Sequence, residues 1–199
     1  MNFEGKGAII IGGCFLGLLL FFSGCAGKQK PRVSITEESL PRVCRVAVLP
    51  FQNQTKTTAA GLMLYRILMA EMARLRNFQV VEEGAVRRIL LRGKVYPGQS
   101  ITPEIREMIM KTLHPDALLS GEVVDVEETS DMVRLAFNLR MRDARTGQLL
   151  WTTYYARTGE EYRKVMHFGE IDTLAGLTRQ MVFDVLKMWQ EKKLGGCSR

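Results

Sequence analysis

Hydrophobic positions change their spacing several times along the chain, and each change marks an element. Residues 45–51 (Arg-Val-Ala-Val-Leu-Pro-Phe) form a nearly continuous apolar, β-branched run interrupted only at Pro50, the pattern of a strand covered on both faces. Residues 57–76 are apolar almost all round, broken by Arg66, Glu71, Arg74 and Arg76, and are long enough for a helix. A short strand follows at 78–81, and strand, helix and strand in this order make a right-handed crossover with parallel strands. Residues 83–92 carry Val86, Ile89 and Leu90 on one side of a second helix. Thr102, with Pro103 behind it, caps a third that shows Ile105, Met108, Ile109 and Leu113 on one face and stops at Pro115. Residues 117–126 return to a strand. Val133, Leu135, Phe137, Leu139 and Met141 then alternate with Arg134, Ala136, Asn138, Arg140 and Arg142, a strand with one covered and one open face. Thr146-Gly147 turns the chain into a further strand at 149–157, and a last amphipathic helix spans 172–192 before Gly195-Gly196. The pattern predicts one α/β domain over 43–194, a mixed sheet of about five strands: a parallel crossover unit, then an antiparallel meander, with flanking helices and a C-terminal helix. Residues 195–199 are read as a flexible end.

Before the first strand the pattern is of another kind. Lys6 precedes an apolar run from Ala8 to Phe22, interrupted by Gly12, Gly13 and Gly17 and followed by Ser23 and Gly24, which is too short and glycine-rich for a comfortable membrane span. The tetrad Phe22-Ser23-Gly24-Cys25 resembles the lipobox of bacterial lipoproteins, although that family prefers Leu where this chain has Phe22. The resemblance implies a signal peptide at 1–24, cut before Cys25, and diacylation of that thiol. Several acyl chains together anchor stably, since each buried methylene contributes about 0.8 kcal/mol. No Asp follows Cys25, which by the same resemblance places the anchor at the periplasmic face of the outer membrane. Residues 26–42 are polar and aperiodic, with two prolines, and read as a tether.

Composition sharpens this picture. The chain is 46% hydrophobic and 25% charged, which excludes a disordered protein and suits one core. Its net charge of +7 would by itself point to nucleic acid or an acidic membrane. Export removes nucleic acid as a partner, and the charge is unchanged by loss of residues 1–24, which hold one Glu and one Lys. Cys14 leaves with the signal and Cys25 is acylated. Cys44 and Cys197 remain in an oxidising compartment, where two states are open to them: a bridge joining the two ends of the domain, or a buried thiol and a frayed one.

Candidate chemistry is sparse. His114 and His167 lack the spacing of paired metal ligands, and Glu82-Glu83 and Glu160-Glu161 are adjacent acids with no reason to converge on one atom. No Gly-rich phosphate loop, G-x-S-x-G elbow or C-x-x-C occurs. No enzyme activity, metal or cofactor is expected. Met63, Met69 and Met72 suit an adaptable binding groove, but at helical spacing in a nearly all-apolar helix they are read as core filling. Arg134, Arg140 and Arg142, with Asn138, form a cationic ladder suited to carboxylates or phosphates, bordered by Trp151, Tyr154 and Tyr155 of the next strand in a register the sequence leaves open. The ladder reads equally as an ordinary solvated face.

The ordered set Val46-Ala47-Val48-Leu49-Pro50-Phe51, Phe78-Gln79-Val80-Val81-Glu82, Ala117-Leu118-Leu119-Ser120-Gly121-Glu122-Val123 and Thr146-Gly147-Gln148-Leu149-Leu150-Trp151 resembles the periplasmic module of the TolB amino-terminal domain, CsgG and LpoB. The likeness covers most of residues 43–192. It implies a non-catalytic accessory or assembly factor that binds another envelope protein, penicillin-binding-protein activator-like or curli-assembly-like. A self-assembled secretion ring and a peptidoglycan-binding module using the ladder are the alternatives. The short polar connections 127–131 and 143–148 leave no surplus strand for a shared barrel, whereas ring or dimer formation through the domain itself stays open.

Overall fold

Among the described residues, seven strands and four α-helices build one mixed sheet with helices on both faces. The computed structural model describes residues 30–36, 42–96, 99, 101–164 and 169–197. In chain order the elements are β1 (Arg32–Ile35), β2 (Arg45–Val48), β3 (Gln52–Asn53), α1 (Ala60–Leu75), β4 (Gln79–Val80), α2 (Glu83–Arg92), α3 (Pro103–Leu113), β5 (Ala117–Glu128), β6 (Val133–Asp143), β7 (Leu149–Thr158) and α4 (Leu174–Glu191). The sheet order is β1-β7-β6-β5-β2-β4, with β3 alongside the far half of β5. β2 pairs in parallel with both β4 and β5, whereas β5, β6, β7 and β1 are antiparallel. The fold is thus the α/β single domain that the periodicity predicts, with β1 and β3 as strands it does not show.

Alternation along the strands sorts side chains between two cores. Against α1 and α4 lie Leu119, Phe137, Leu139, Met141 and Trp151, packed under Leu64, Leu68, Met72, Met181, Val185 and Trp189. Met63 and Met69 pack at the edge of the same cluster. On the opposite face Val86, Ile89, Leu90, Ile105 and Ile109 of α2 and α3 cover Ala47, Val81 and Leu118. These two helices cover the parallel half only. The antiparallel half of that face stays open, which is why β6 alternates while β2 is buried along Val46–Val48. Thr102 accepts the N–H of Ile105 with Pro103 in the first turn, and Thr173 caps α4 by accepting the N–H of Gly176. Both helices start on hydroxyls for the same reason: the first N–H groups have no partner inside the helix. Gly121 lies where Phe51 crosses the sheet; a Cβ there would stand 2.6 Å from the Phe51 ring, so only glycine lets the ring down.

Two spans differ from the sequence expectation. Within the 26–42 tether, Arg32–Ile35 is an edge strand on β7, Arg32 opposite Tyr154 and Ile35 opposite Trp151. Arg-Val-Ser-Ile does alternate, but two repeats inside a polar, proline-containing stretch are too short to stand out; backbone pairing with a distant edge decides the conformation. The end of the chain is also held. Cys197 is bonded to Cys44 with Cα atoms 4.4 Å apart, Gly196 N–H donates to Val43 O at 2.6 Å and Cys197 N–H to Asn77 O at 2.8 Å. Residues 195–197 are therefore part of the domain. Residues 1–29, Cys25 among them, and His167 lie outside the described residues.

Candidate functional site

The cationic ladder lies where the alternation put it, on the open half-face, but its charges are mostly compensated. Pairing sets Arg140 opposite Ser120 and Arg134 opposite Glu127 on β5. Arg134 meets Asp125 at 2.9 Å and Glu127 at 3.1 Å, and Arg140 meets Glu122 at 3.2 Å. Glu122 is 8% exposed and also accepts from the Gln54 amide. Arg142 donates to Gly147 O at 3.1 Å across the β6–β7 turn. Asn138 is half-buried between Glu122 and Tyr154. Half-exposed pairs of this type contribute about 0–1 kcal/mol each, yet they remove two guanidiniums from the charge offered to a ligand.

Trp151 and Tyr155 do not border the ladder. Trp151 pairs with Met141 and Tyr155 with Phe137, the inward positions of β6, and they are 0% and 3% exposed. Tyr154, opposite Asn138, is the aromatic residue that shares the open face. One residue of register separates the outcomes, because side chains alternate strictly along a strand.

Inward, Tyr155 enters a buried polar knot. Its hydroxyl and that of Tyr162 both donate to Asp184 Oδ2, at 3.0 and 2.7 Å, while Gln180 donates to Oδ1 at 2.9 Å. Arg157, 3% exposed, stacks 5.0 Å from the Tyr162 ring centre and pairs with Glu161. Each residue has at least one partner, although Arg157 Nε is buried without one, and together they fasten the chain after β7 to α4. Burial pushes the Tyr155 phenol up to about 12 and raises that of Tyr162 as well, with the bonds to Tyr155 and Asp184 acting in the same direction. In the unfolded chain a tyrosine titrates near 10, so between about pH 10 and 12 only the unfolded state loses these protons. The stability they confer is complete below pH 10 and lost as pH rises toward 12. Urea midpoints taken from about pH 9 to 11.5 should fall across that window; a flat series would contradict the burial of the phenols.

A second concavity opens where the chain leaves β2. The turn Pro50–Gln54, the first turns of α1 and the length of α2 enclose a groove of about 850 Å³. The buried Tyr65 and Val86 form its floor, the exposed Leu62 and Leu91 line it, and Arg66, Arg87 and Glu83 are its charged residues. Leu62 is 51% and Leu91 60% exposed, unusual for side chains of this size. Burial, then the Glu83 charge, push the Tyr65 phenol up to about 12, so the floor keeps its proton. The signal for this groove was present in the sequence: α1 is apolar nearly all round, while α4 and the sheet cover only part of it. His114, by contrast, is an exposed left-handed cap of α3 at φ 47°. Among the described residues no helix is long and apolar enough to cross a membrane.

No family model matches the chain, and no curated protein matches it. Solved structures do. A dodecameric PelC variant from Paraburkholderia phytofirmans is similar with TM-score 0.54 and 19% identity, over 79% of this chain and 96% of that one. Lipoprotein GNA1162 from Neisseria meningitidis is similar with TM-score 0.53 and 15% identity, over 74% and 99%. The LpoB C-terminal domain from Escherichia coli stands further off, with TM-score 0.45 and 13% identity over 61% and 87%, too distant to carry an argument. At such identities the likeness shows the fold alone: the chain has the α/β fold found in a solved bacterial lipoprotein and in a dodecamer-forming protein.

Proposed function

We propose that this protein is a non-catalytic envelope lipoprotein, acylated at Cys25 and held at the periplasmic face of the outer membrane, that acts as an accessory or assembly factor. Its α1–α2 groove takes a segment of another envelope protein. The observation that carries this is the pair of exposed leucines, Leu62 and Leu91, lining one groove above the buried Tyr65 and Val86. The occupant is a segment that presents apolar side chains next to carboxylates, because Arg66 and Arg87 line the groove. The TolB, CsgG and LpoB resemblance supports the same class of task. A long reach does not belong to it: Cys25 to Lys30 spans at most about 18 Å of extended chain, which favours clients near the outer membrane over an inner-membrane synthase.

A photo-crosslinking residue placed at Leu62 or Leu91 should capture a heterologous protein in intact cells, whereas one at Tyr154 should not. Adducts formed from Tyr154 alone would move the partner to the open sheet face. Cys25→Ala should abolish acyl labelling and release the protein from membranes; a variant that stays acylated would refute the anchor. A second reading, assembly into a ring, is favoured by the dodecameric PelC likeness. Light scattering on the detergent-solubilised full chain decides it, because a strict monomer excludes a ring.

A further inference from the structure

Four exposed cations that belong to neither the ladder nor the groove lie at one end of the domain, where Asp116, bonded to the N–H groups of Cys44 and Arg45, is the nearby acid. Arg42 precedes Val43, whose carbonyl holds Gly196; Arg76 is the left-handed C-cap of α1 (φ 54°), one residue before Asn77, whose carbonyl holds Cys197; Lys192 and Lys193 end α4. The Cys44–Cys197 bond draws these three stretches together. All four cations are exposed, and none has an acidic partner among the described residues. Around the far ends of β5, β6 and β7 stand Glu127, already paired with Arg134, and Glu128, Asp131 and Glu160, with Arg163 and Lys164 close by in the chain. β5 separates the two ends by about 36 Å at 3.3 Å per residue.

Topology also orients the domain. β1 is antiparallel to β7, and Arg32 lies opposite Tyr154, so the chain coming from Cys25 approaches from the Thr158 end of the sheet. With the leash of about 18 Å, the Thr158 end stands nearest the lipid and the basic end projects toward the wall. We infer that the basic pole formed by Arg42, Arg76, Lys192 and Lys193 docks on a carboxylate-bearing polymer, the chemistry of peptidoglycan stem peptides. The orientation rests on acylation at Cys25; the pole itself does not. Dispersed exposed cations suit a flexible polyanion, which needs charge density in place of a shaped pocket. The groove and the ladder take no part.

The test is co-sedimentation of the full acylated chain with isolated peptidoglycan sacculi. The variant Arg42→Glu, Arg76→Glu, Lys192→Glu, Lys193→Glu should bind about tenfold more weakly. The native protein should lose as much on sacculi whose carboxyl groups have been amidated, an arm that does not depend on the variant folding. Arg134→Glu with Arg140→Glu should bind like the native protein. Unchanged binding in either of the first two arms, or loss only in the ladder variant, would overturn the assignment. So would a thermal midpoint that moves with binding untouched, the signature of cations that merely offset the carbonyl ends of α1 and α4. With Cys25→Ala, which removes the acyl anchor, retention on phosphatidylethanolamine and phosphatidylglycerol vesicles with none on sacculi would give the pole to the membrane instead. Palmitate labelling of the same cells scores the anchor separately, so loss of the lipid assignment and loss of this one are read in different assays.

Discussion

Trp189→Ala is expected to lower the unfolding free energy by about 3–5 kcal/mol, the range for deleting a fully buried aromatic side chain. Trp189 is 1% exposed and joins three parts of the chain that lie far apart in sequence. Its indole stands edge-on to Trp151 of β7 at 5.8 Å and to Phe78, just before β4, at 6.3 Å between ring centres. Nε1 donates to Thr153 Oγ1 at 2.9 Å, where the hydroxyl has no exposure to water. Truncation therefore opens a cavity between α4 and the sheet and removes the donor to a buried hydroxyl at once. In urea the midpoint should fall with the slope unchanged. Trp189→Phe keeps most of the aromatic burial and loses the donor, so its midpoint should lie between the two. A loss of less than about 1 kcal/mol in Trp189→Ala would show that this ring does not clamp α4.

Removing the Cys44–Cys197 bond, by Cys44→Ser with Cys197→Ser or by reduction, is expected to cost about 2–5 kcal/mol. The bond joins positions 153 residues apart, so it closes nearly the whole domain into one loop. Loop-closure entropy rises with the logarithm of length, which places this bridge toward the upper end of the range. The fold should survive, because neither core uses the two sulfur atoms. The local effect is at the end of the chain: the amides of Gly196 and Cys197, bonded to Val43 and Asn77, should exchange with solvent far faster once reduced. Native and reduced protein compared in urea and by hydrogen exchange would decide this. Equal midpoints and equally slow Gly196 exchange would mean that the backbone bonds alone hold the terminus.

Much of the architecture could be read from residue patterns, for a physical reason specific to each element. β6 alternates because one of its faces is buried and the other is open. α3 announces itself through Thr102-Pro103 because unpaired N–H groups need a hydroxyl and a residue without a donor. The methionines of α1 read as core filling, and Met72 is fully buried. β1 was hidden: Arg-Val-Ser-Ile is a strand only because β7 offers an unpaired edge. β3 was hidden likewise, a two-residue pairing with β5. The candidate site was legible in part. The ladder's place on the open face was visible, but the acids that compensate Arg134 and Arg140 sit on β5, across a hydrogen-bonded ladder. Tyr155 is separated from the exposed Tyr154 by a single position.

The class of fold, the order of its elements, the lipobox-like tetrad and the size of the positive surplus are all written in local spacing and composition. The tertiary structure alone decided the register that turned Trp151 and Tyr155 inward, the ion pairs that occupy the ladder, the exposure of Leu62 and Leu91, and the gathering of Arg42, Arg76, Lys192 and Lys193 at one pole. The physical reason is common to all four. Each depends on which distant backbone lies beside a given residue, and periodicity within a segment carries no information about that neighbour.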